Sequence, residues 1–331
     1  MAESKPSVLI TGANGFIGSR LCRRFAEKSW HVVAGVRESA DMSLLNGIDV
    51  EIRYGDITRP NTLPTMVTGV DYIVHNAGVV KAKHPRTFFD VNEIGTKSLF
   101  EAIVQHNPNV KKVIYISSLA AAGPSSAGKP ITENDPPRPI TTYGRSKLKG
   151  EQAALAFADR FNVISLRPPG IYGPGDKEIF SFFDTVNKHI KPFIGNGRRK
   201  IQLVHVSDLC RAINLALTNE TESGIACFVA ESRSYSMKEL VKTLSRASGK
   251  SGIPVYIPSI IFKMIAAGSE IVFRMVGATP MLTVEKAEEL LASWEVTTKK
   301  AHDAFGFVSQ ISFDQGARET FRWYRENGWL Q

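Results

Sequence analysis

Ser7-Val8-Leu9-Ile10-Thr11-Gly12-Ala13-Asn14-Gly15-Phe16-Ile17-Gly18 is the stretch on which the fold turns. Residues 7–11 are an apolar run of strand length, and residues 15–28 carry apolar side chains at helical spacing. A strand therefore leads through a glycine turn into a helix. Each glycine has its own use: Gly12 permits the tight turn, Gly15 lets backbone amides approach an anion, and Gly18 lets the helix close onto the strand. The free amides at the start of the helix face the same anion. The spacing predicts a dinucleotide pyrophosphate held by Gly12, Asn14, Gly15, Phe16, Ile17 and Gly18.

Downstream the alternation continues. Apolar β-type runs at 31–36, 50–54, 71–75, 113–117 and 163–166 are interleaved with helical patterns at 87–105 and 143–160. Such alternation builds an α/β fold with a doubly wound parallel sheet, the Rossmann arrangement. After Pro168-Pro169-Gly170 the pattern changes, with short strands at 201–205 and 226–230 and helices at 206–217, 237–247, 260–276, 284–292 and 314–326. Residues 1–170 read as the dinucleotide-binding domain. Residues 171–331 read as mainly a smaller, mixed α/β substrate lobe, some of whose elements return to the first domain. A polar loop at 124–139 separates the two halves of the candidate catalytic machinery, and loops of that length are usually functional.

With 331 residues and 43% hydrophobic composition, the chain can bury a large core. Its 41 Lys+Arg against 32 Asp+Glu give a net charge of +9, but the basic residues are scattered. Without a zinc-finger spacing or an RNA-binding aromatic signature, that charge suits a phosphate-bearing cofactor and not nucleic acid. Cys22, Cys210 and Cys227 are too dispersed for a disulfide framework or a metal cluster, so no metal is expected and a reducing compartment is. The polar opening, Met1-Ala2-Glu3-Ser4-Lys5-Pro6, predicts no signal peptide and a cytoplasmic location. Lys263, Glu270 and Arg274 interrupt residues 260–276, which excludes a spanning helix there. The expectation is an amphipathic helix packed on the protein, with a helix lying on a bilayer surface as the alternative.

Two later segments carry chemistry, Tyr115-Ile116-Ser117-Ser118 and Tyr143-Gly144-Arg145-Ser146-Lys147. Tyr143 and Lys147 stand four apart, on one helix face. A free phenol, with a pKa of about 10, is a poor base at neutral pH, and a neighbouring ammonium lowers that value. The pair is then able to exchange a proton with a substrate hydroxyl or carbonyl while a nicotinamide exchanges a hydride. Ser118, at a strand end, is placed to hydrogen-bond the same oxygen. The end of the second strand, Ala34-Gly35-Val36-Arg37-Glu38, selects the cofactor. An acid there would bind the NAD ribose, whereas arginine accommodates the 2′-phosphate of NADP. Val36-Arg37 favours NADP(H), with NAD(H) possible if Arg37 is only a surface residue beside Glu38.

The chain resembles the extended short-chain dehydrogenases/reductases over nearly its whole length. The resemblance rests on Thr11 to Gly18, Gly55-Asp56-Ile57, Asn76-Ala77-Gly78, Val91-Asn92 with Gly95-Thr96, Ser117-Ser118, Tyr143 to Lys147, Leu166-Arg167-Pro168 with Ile171-Tyr172-Gly173-Pro174, and Val204-His205-Val206-Ser207-Asp208. It implies that Asp56 and Ile57 flank the adenine, that Ala77 and Gly78 line the nucleotide cleft, and that Pro169 to Ile171 lie beside the nicotinamide. It also selects Ser118 over Ser117, since the family's serine stands about 25 positions before its tyrosine. Within the family the chain is most similar to the dihydroflavonol-reductase and 3β-hydroxysteroid-dehydrogenase branches. Its apolar 260–276 helix and closing Trp323-Tyr324-Arg325-Glu326-Asn327-Gly328-Trp329-Leu330 are similar to bacterial epimerase/dehydratase relatives. Leu119-Ala120 stand where the dehydratases carry an acidic pair, which argues against dehydration. The family's habit of pairing helices 87–105 and 143–160 across a two-fold axis implies a homodimer.

The expected activity is NADP-dependent interconversion of a secondary alcohol and a ketone on a fairly apolar small molecule. Ile257, Ile260, Ile261, Phe262, Ile265, Phe273 and Met281 are expected to shape its pocket. A nucleotide-sugar epimerase with tightly held NAD is the alternative, with Arg198, Arg199 and Arg274 available for a diphosphate. A catalytically silent cofactor-sensing module is the reading from a different class. His75, His205, Trp294, Trp323 and Trp329 read as structural, and Asn92 as a hydrogen-bonding residue inside the sheet–helix layer.

Overall fold

Within the first strand, Val8 and Ile10 face one apolar layer and Leu9 the opposite one, and all three are fully buried. A strand covered on both faces belongs to the middle of a parallel sheet. The computed structural model describes residues 5–126, 128–195, 197, 199–275 and 282–330, and the side chains of all of these except 274 and 275. Seven strands form that sheet: β1 (Ser7–Thr11), β2 (His31–Val36), β3 (Glu51–Tyr54), β4 (Tyr72–His75), β5 (Lys112–Ile116), β6 (Asn162–Arg167) and β7 (Ile225–Phe228). Their order is β7-β6-β5-β4-β1-β2-β3, all parallel. The order reverses between β1 and β4, so a crevice opens beyond their C-terminal ends, where ligands bind in such sheets.

Helices Phe16–Glu27 and Val206–Thr218 cover one face through Leu21, Phe25, Leu209 and Ile213. Thr96–His106 and Thr142–Leu155 cover the other through Leu99, Phe100, Ile103 and Ala154. Three segments from the second half of the chain thus complete this layer: the helix at 206–218, the helix Lys299–Phe305, which packs there through Ala301 and Phe305, and the strand expected at 226–230, which is β7. The expected 87–105 helix runs instead as Pro85–Phe89, a π-turn Asp90–Gly95 and then Thr96–His106. The wide turn frees the Asn92 side chain, which donates to Val79 O at 3.0 Å and accepts from Val79 N at 2.9 Å.

Helices Phe180–Asn187, Met237–Ser248 and Phe313–Glu326 pack around Tyr172, Phe183, Leu240, Phe313 and Phe321. The run read as one strand at 201–205 serves two small sheets. Lys200–Ile201 pairs antiparallel with Tyr235–Ser236, and Leu203–His205 pairs parallel with Gly170–Tyr172. Bridges Ser125↔Ser293 and Ile131↔Val296 pin the 124–139 loop to the second half. Helix Ser259–Met275 docks through Phe262 and Ala266 against Ala287 and Leu291. Its Ile260, Ile261 and Ile265, expected to shape the pocket, are exposed, because they lie on the side of the helix opposite that contact. Val276, Met281 and Arg198 lie outside the described residues, as does the side chain of Arg274.

Candidate active site

The glycine turn is built as an anion cradle. Gly12 has φ of +64°, and a Cβ on Gly18 would stand 2.2 Å from Gly12 O, so a side chain at either position would break the turn. The helix it opens has no side-chain cap at Gly15, which leaves its first amides free to bind a ligand. Ala77 packs against Gly12, whose added Cβ would lie 3.0 Å from Ala77 Cα. Asn14 Nδ2 donates to Asp41 O at 3.2 Å, tying the turn to the loop after β2.

Arg37 is exposed in that loop, directly after buried Val36. Across from it the Asp56 carboxylate accepts from Thr58 N at 2.9 Å and Thr58 Oγ1 at 2.7 Å. Burial works to raise Asp56, but the Thr58 hydrogen bonds and the Arg37 charge hold its carboxyl below the usual range. Ile57 is buried and packs against Gly95. The backbone amide of Leu119 donates to Pro168 O at 2.7 Å, which brings the segment containing Pro169 and Ile171 beside Ser118.

Ser118 caps the short helix Leu119–Ala122, its Oγ accepting from Ala120 N at 3.1 Å. The Tyr143 phenol is near enough to the same hydroxyl for Ser118 to lower its pKa. Lys147, one turn along, is buried and donates to Ile116 O at 2.7 Å, with its Nζ 4.5 Å from the centroid of the Tyr115 ring. The electrostatics differ from the sequence expectation of a lowered phenol. Burial pushes Tyr143 up to about 12, Ser118 opposing it and the Glu289 and Glu178 carboxylates adding to it. Burial pushes the Lys147 amine down to about 7, with Glu151 opposing. Water exclusion outweighs the neighbouring charges at both groups.

Three supports were not legible as such. Glu285 accepts from Thr142 N at 2.7 Å and Thr142 Oγ1 at 2.9 Å, placing a carboxylate at the start of the tyrosine's helix. Glu151 binds Arg167 Nε at 2.9 Å and Ser165 Oγ at 2.8 Å in a buried ion pair beneath Lys147. A clue was present for this pair, since Glu151 follows Lys147 by four residues, as Lys147 follows Tyr143. The third support is a hydrogen-bond chain. Thr11 Oγ1 accepts from Asn76 N and Ala77 N, so its proton points to His75 Nδ1 at 2.8 Å. His75 Nε2 then donates to Thr96 Oγ1 at 3.0 Å, and Thr96 donates to Asn92 O at 2.7 Å. Burial lowers His75 to about 3, so the ring is neutral and joins β1 and β4 to the π-turn.

His205 caps helix Val206–Thr218 and packs edge-on against Tyr172, and Trp323 and Trp329 join the aromatic cluster around Tyr324. Trp294 packs near Leu119 and Phe228. Arg199 is buried, and its three guanidinium nitrogens have no hydrogen-bond partner among the described residues. Burial pushes it down to about 10. Among the described residues there is no group of acids, histidines or cysteines able to hold a metal ion.

The chain belongs to the NAD dependent epimerase/dehydratase family, whose model matches residues 8–227. It is an NAD(P)-dependent oxidoreductase of that extended short-chain dehydrogenase/reductase group. It is 28% identical to a ceramide reductase of Caulobacter vibrioides, covering 99% of this chain and 97% of that protein. It is also 24% identical to a 3-beta-hydroxysteroid dehydrogenase of Mycolicibacterium neoaurum, over 96% of this chain and 91% of that one, in keeping with the branch resemblance above. Among solved structures, gox2253 superposes with a TM-score of 0.83 at 25% identity, covering 99% of this chain and 100% of that one.

Proposed function

We propose that the protein is an NADP(H)-dependent reductase that converts a ketone on an apolar small molecule to a secondary alcohol. The observation that carries this reading is the meeting of the Ser118 hydroxyl and the Tyr143 phenol, with buried Lys147 one turn away. When bound, the cofactor supplies a hydride to the carbonyl carbon. Ser118 donates to the carbonyl oxygen as charge develops there. Tyr143, held protonated by burial, gives its proton to that oxygen and completes the alcohol. Lys147 positions the phenol and meets the cofactor's nicotinamide ribose.

The cradle of Gly12, Asn14, Gly15, Phe16, Ile17 and Gly18 fits a pyrophosphate, since added side chains would fill it. Asp56 and Ile57 flank the adenine, Ala77 and Gly78 line the cleft, and Pro169 and Ile171 face the nicotinamide. Arg37 takes the 2′-phosphate. Arg37→Asp is expected to weaken NADPH binding at least about tenfold and to spare NADH, because a phosphate partner becomes a repelling charge. Equal NADPH affinities by fluorescence titration would remove Arg37 from the site.

Apolar ketones should drive stoichiometric NADPH oxidation with purified protein, whereas UDP- or GDP-sugars should give no epimer by NMR. Epimer formation without net cofactor oxidation would reverse the choice. One observation favours that second reading, the epimerase: the buried Arg199 guanidinium has no hydrogen-bond partner among the described residues. Residues 1–170 serve the cofactor, and residues beyond 170 mainly serve the substrate. We also propose a homodimer paired through Thr96–His106 and Thr142–Leu155. Light scattering at micromolar concentration should then give twice 36.4 kDa, and a value of 36.4 kDa would end the claim. The location we propose is the cytoplasm, where the buried free thiols Cys22, Cys210 and Cys227 stay reduced.

A further inference from the structure

A helix apolar on all sides is normally buried. Ser259–Met275 is apolar outside the strip that carries Lys263, Glu270 and Arg274, yet among the described residues it is packed on the protein only through Phe262 and Ala266. Phe262 and Ala266 face Ala287, while Ile260, Ile261, Met264, Ile265, Ile271 and Val272 form the opposite, outward stripe. Ile260 is 71% exposed, Met264 68% and Ile271 61%, values of free surface and not of a groove wall. In the strand before this helix, Ile253–Ile257, the apolar side chains of Ile253 and Tyr256 are also exposed, each 72%. A stripe of exposed apolar side chains along one helix marks an interaction site.

The surroundings select the occupant. Lys191 lies in register with Pro254 on the partner strand, and Lys250 closely precedes Ile253. Of the acids nearby, Glu288 pairs with Lys263 and Asp184 with Lys188, while Glu270 on the helix itself accepts from Val284 N at 3.1 Å. The whole chain carries +9. Two copies meeting on this face would bring like charges together, whereas an anionic bilayer would attract them. Among the described residues, no helix is long and apolar enough to cross a membrane. At 17 residues, or about 25 Å, this one has the dimensions of an interfacial helix.

We propose that the outward side of Ser259–Met275, with the strand before it, docks the enzyme on the surface of an anionic phospholipid bilayer. The proposal rests on exposed residues away from the Ser118–Tyr143–Lys147 site and stands independently of the substrate reading. The test is flotation of the full chain with vesicles of phosphatidylcholine alone or with about a third phosphatidylglycerol. Binding is expected to the anionic vesicles and to weaken with salt. A triple variant, Ile260→Glu with Met264→Glu and Ile271→Glu, should lower partitioning at least about tenfold while leaving NADPH affinity and the melting temperature in place. Should that variant not fold, Lys191→Glu with Lys250→Glu is the second test, and it should reduce binding to anionic vesicles severalfold. Wild-type protein that stays in the bulk with both vesicle types would overturn the proposal. Undiminished binding by folded variants would overturn it too. A solution mass that halves in the triple variant, without vesicle binding by wild type, would assign this face to a second copy.

Discussion

Tyr143→Phe is expected to lower kcat for ketone reduction by at least about 100-fold, the usual contribution of a positioned proton donor. The substitution deletes one oxygen and its proton and leaves the ring that packs edge-on against Phe88. Cofactor affinity should therefore change less than about twofold, since the pyrophosphate cradle and Arg37 are untouched. Burial keeps that phenol protonated, and phenylalanine at the same place has no proton to give. Retention of more than about a tenth of wild-type activity would mean a barrier change below ~1.4 kcal/mol, and the assigned role would be wrong.

Lys147→Met is expected to reduce turnover comparably and, unlike the tyrosine change, to weaken NADPH binding, about tenfold. The lysine has two jobs in this account: it orients the phenol and it meets the cofactor ribose. A third consequence separates these roles from simple misfolding. The folded pKa of Lys147 lies near 7, below the unfolded value of 10.5, so between these values the unfolded chain binds more protons. Wild-type stability should accordingly rise with pH across that window as the cost of burying a charge disappears. The methionine variant lacks this cost. Its melting temperature should match or exceed that of wild type at pH 6, and the advantage should shrink by pH 9. A variant that is less stable than wild type at pH 6, with the gap unchanged at pH 9, would place Lys147 in a different environment.

Much of this arrangement was legible from residues alone. Strand-length apolar runs bounded by turns marked the first six strands within a residue or so, because buried parallel strands leave little choice of side chain. The glycine turn was legible because the backbone tolerates nothing else at Gly12 and Gly18. The π-turn at Asp90–Gly95 was not, since helical periodicity is blind to one inserted residue that lets Asn92 bond Val79. Nor was the membership of β7, because a short apolar strand does not say which sheet edge it will extend. Glu285 and the phenol's high pKa depend on long-range packing: a carboxylate 143 positions away, and burial that outweighs the lysine's charge. Outward-facing Ile260 and Ile265 were misread as pocket lining, since an apolar residue on a helix does not declare which side is covered.

The central claim is hydride delivery to a ketone carbon with a proton supplied by Tyr143. It is tested most directly with NADPH carrying deuterium at the transferring position and a long-chain or aromatic ketone, the product being examined by mass spectrometry and NMR. The account expects one deuterium on the carbinol carbon per NADPH oxidised, and none from the Tyr143→Phe protein. An alcohol without deuterium, or an inverted sugar centre formed with no NADPH consumed, would contradict it.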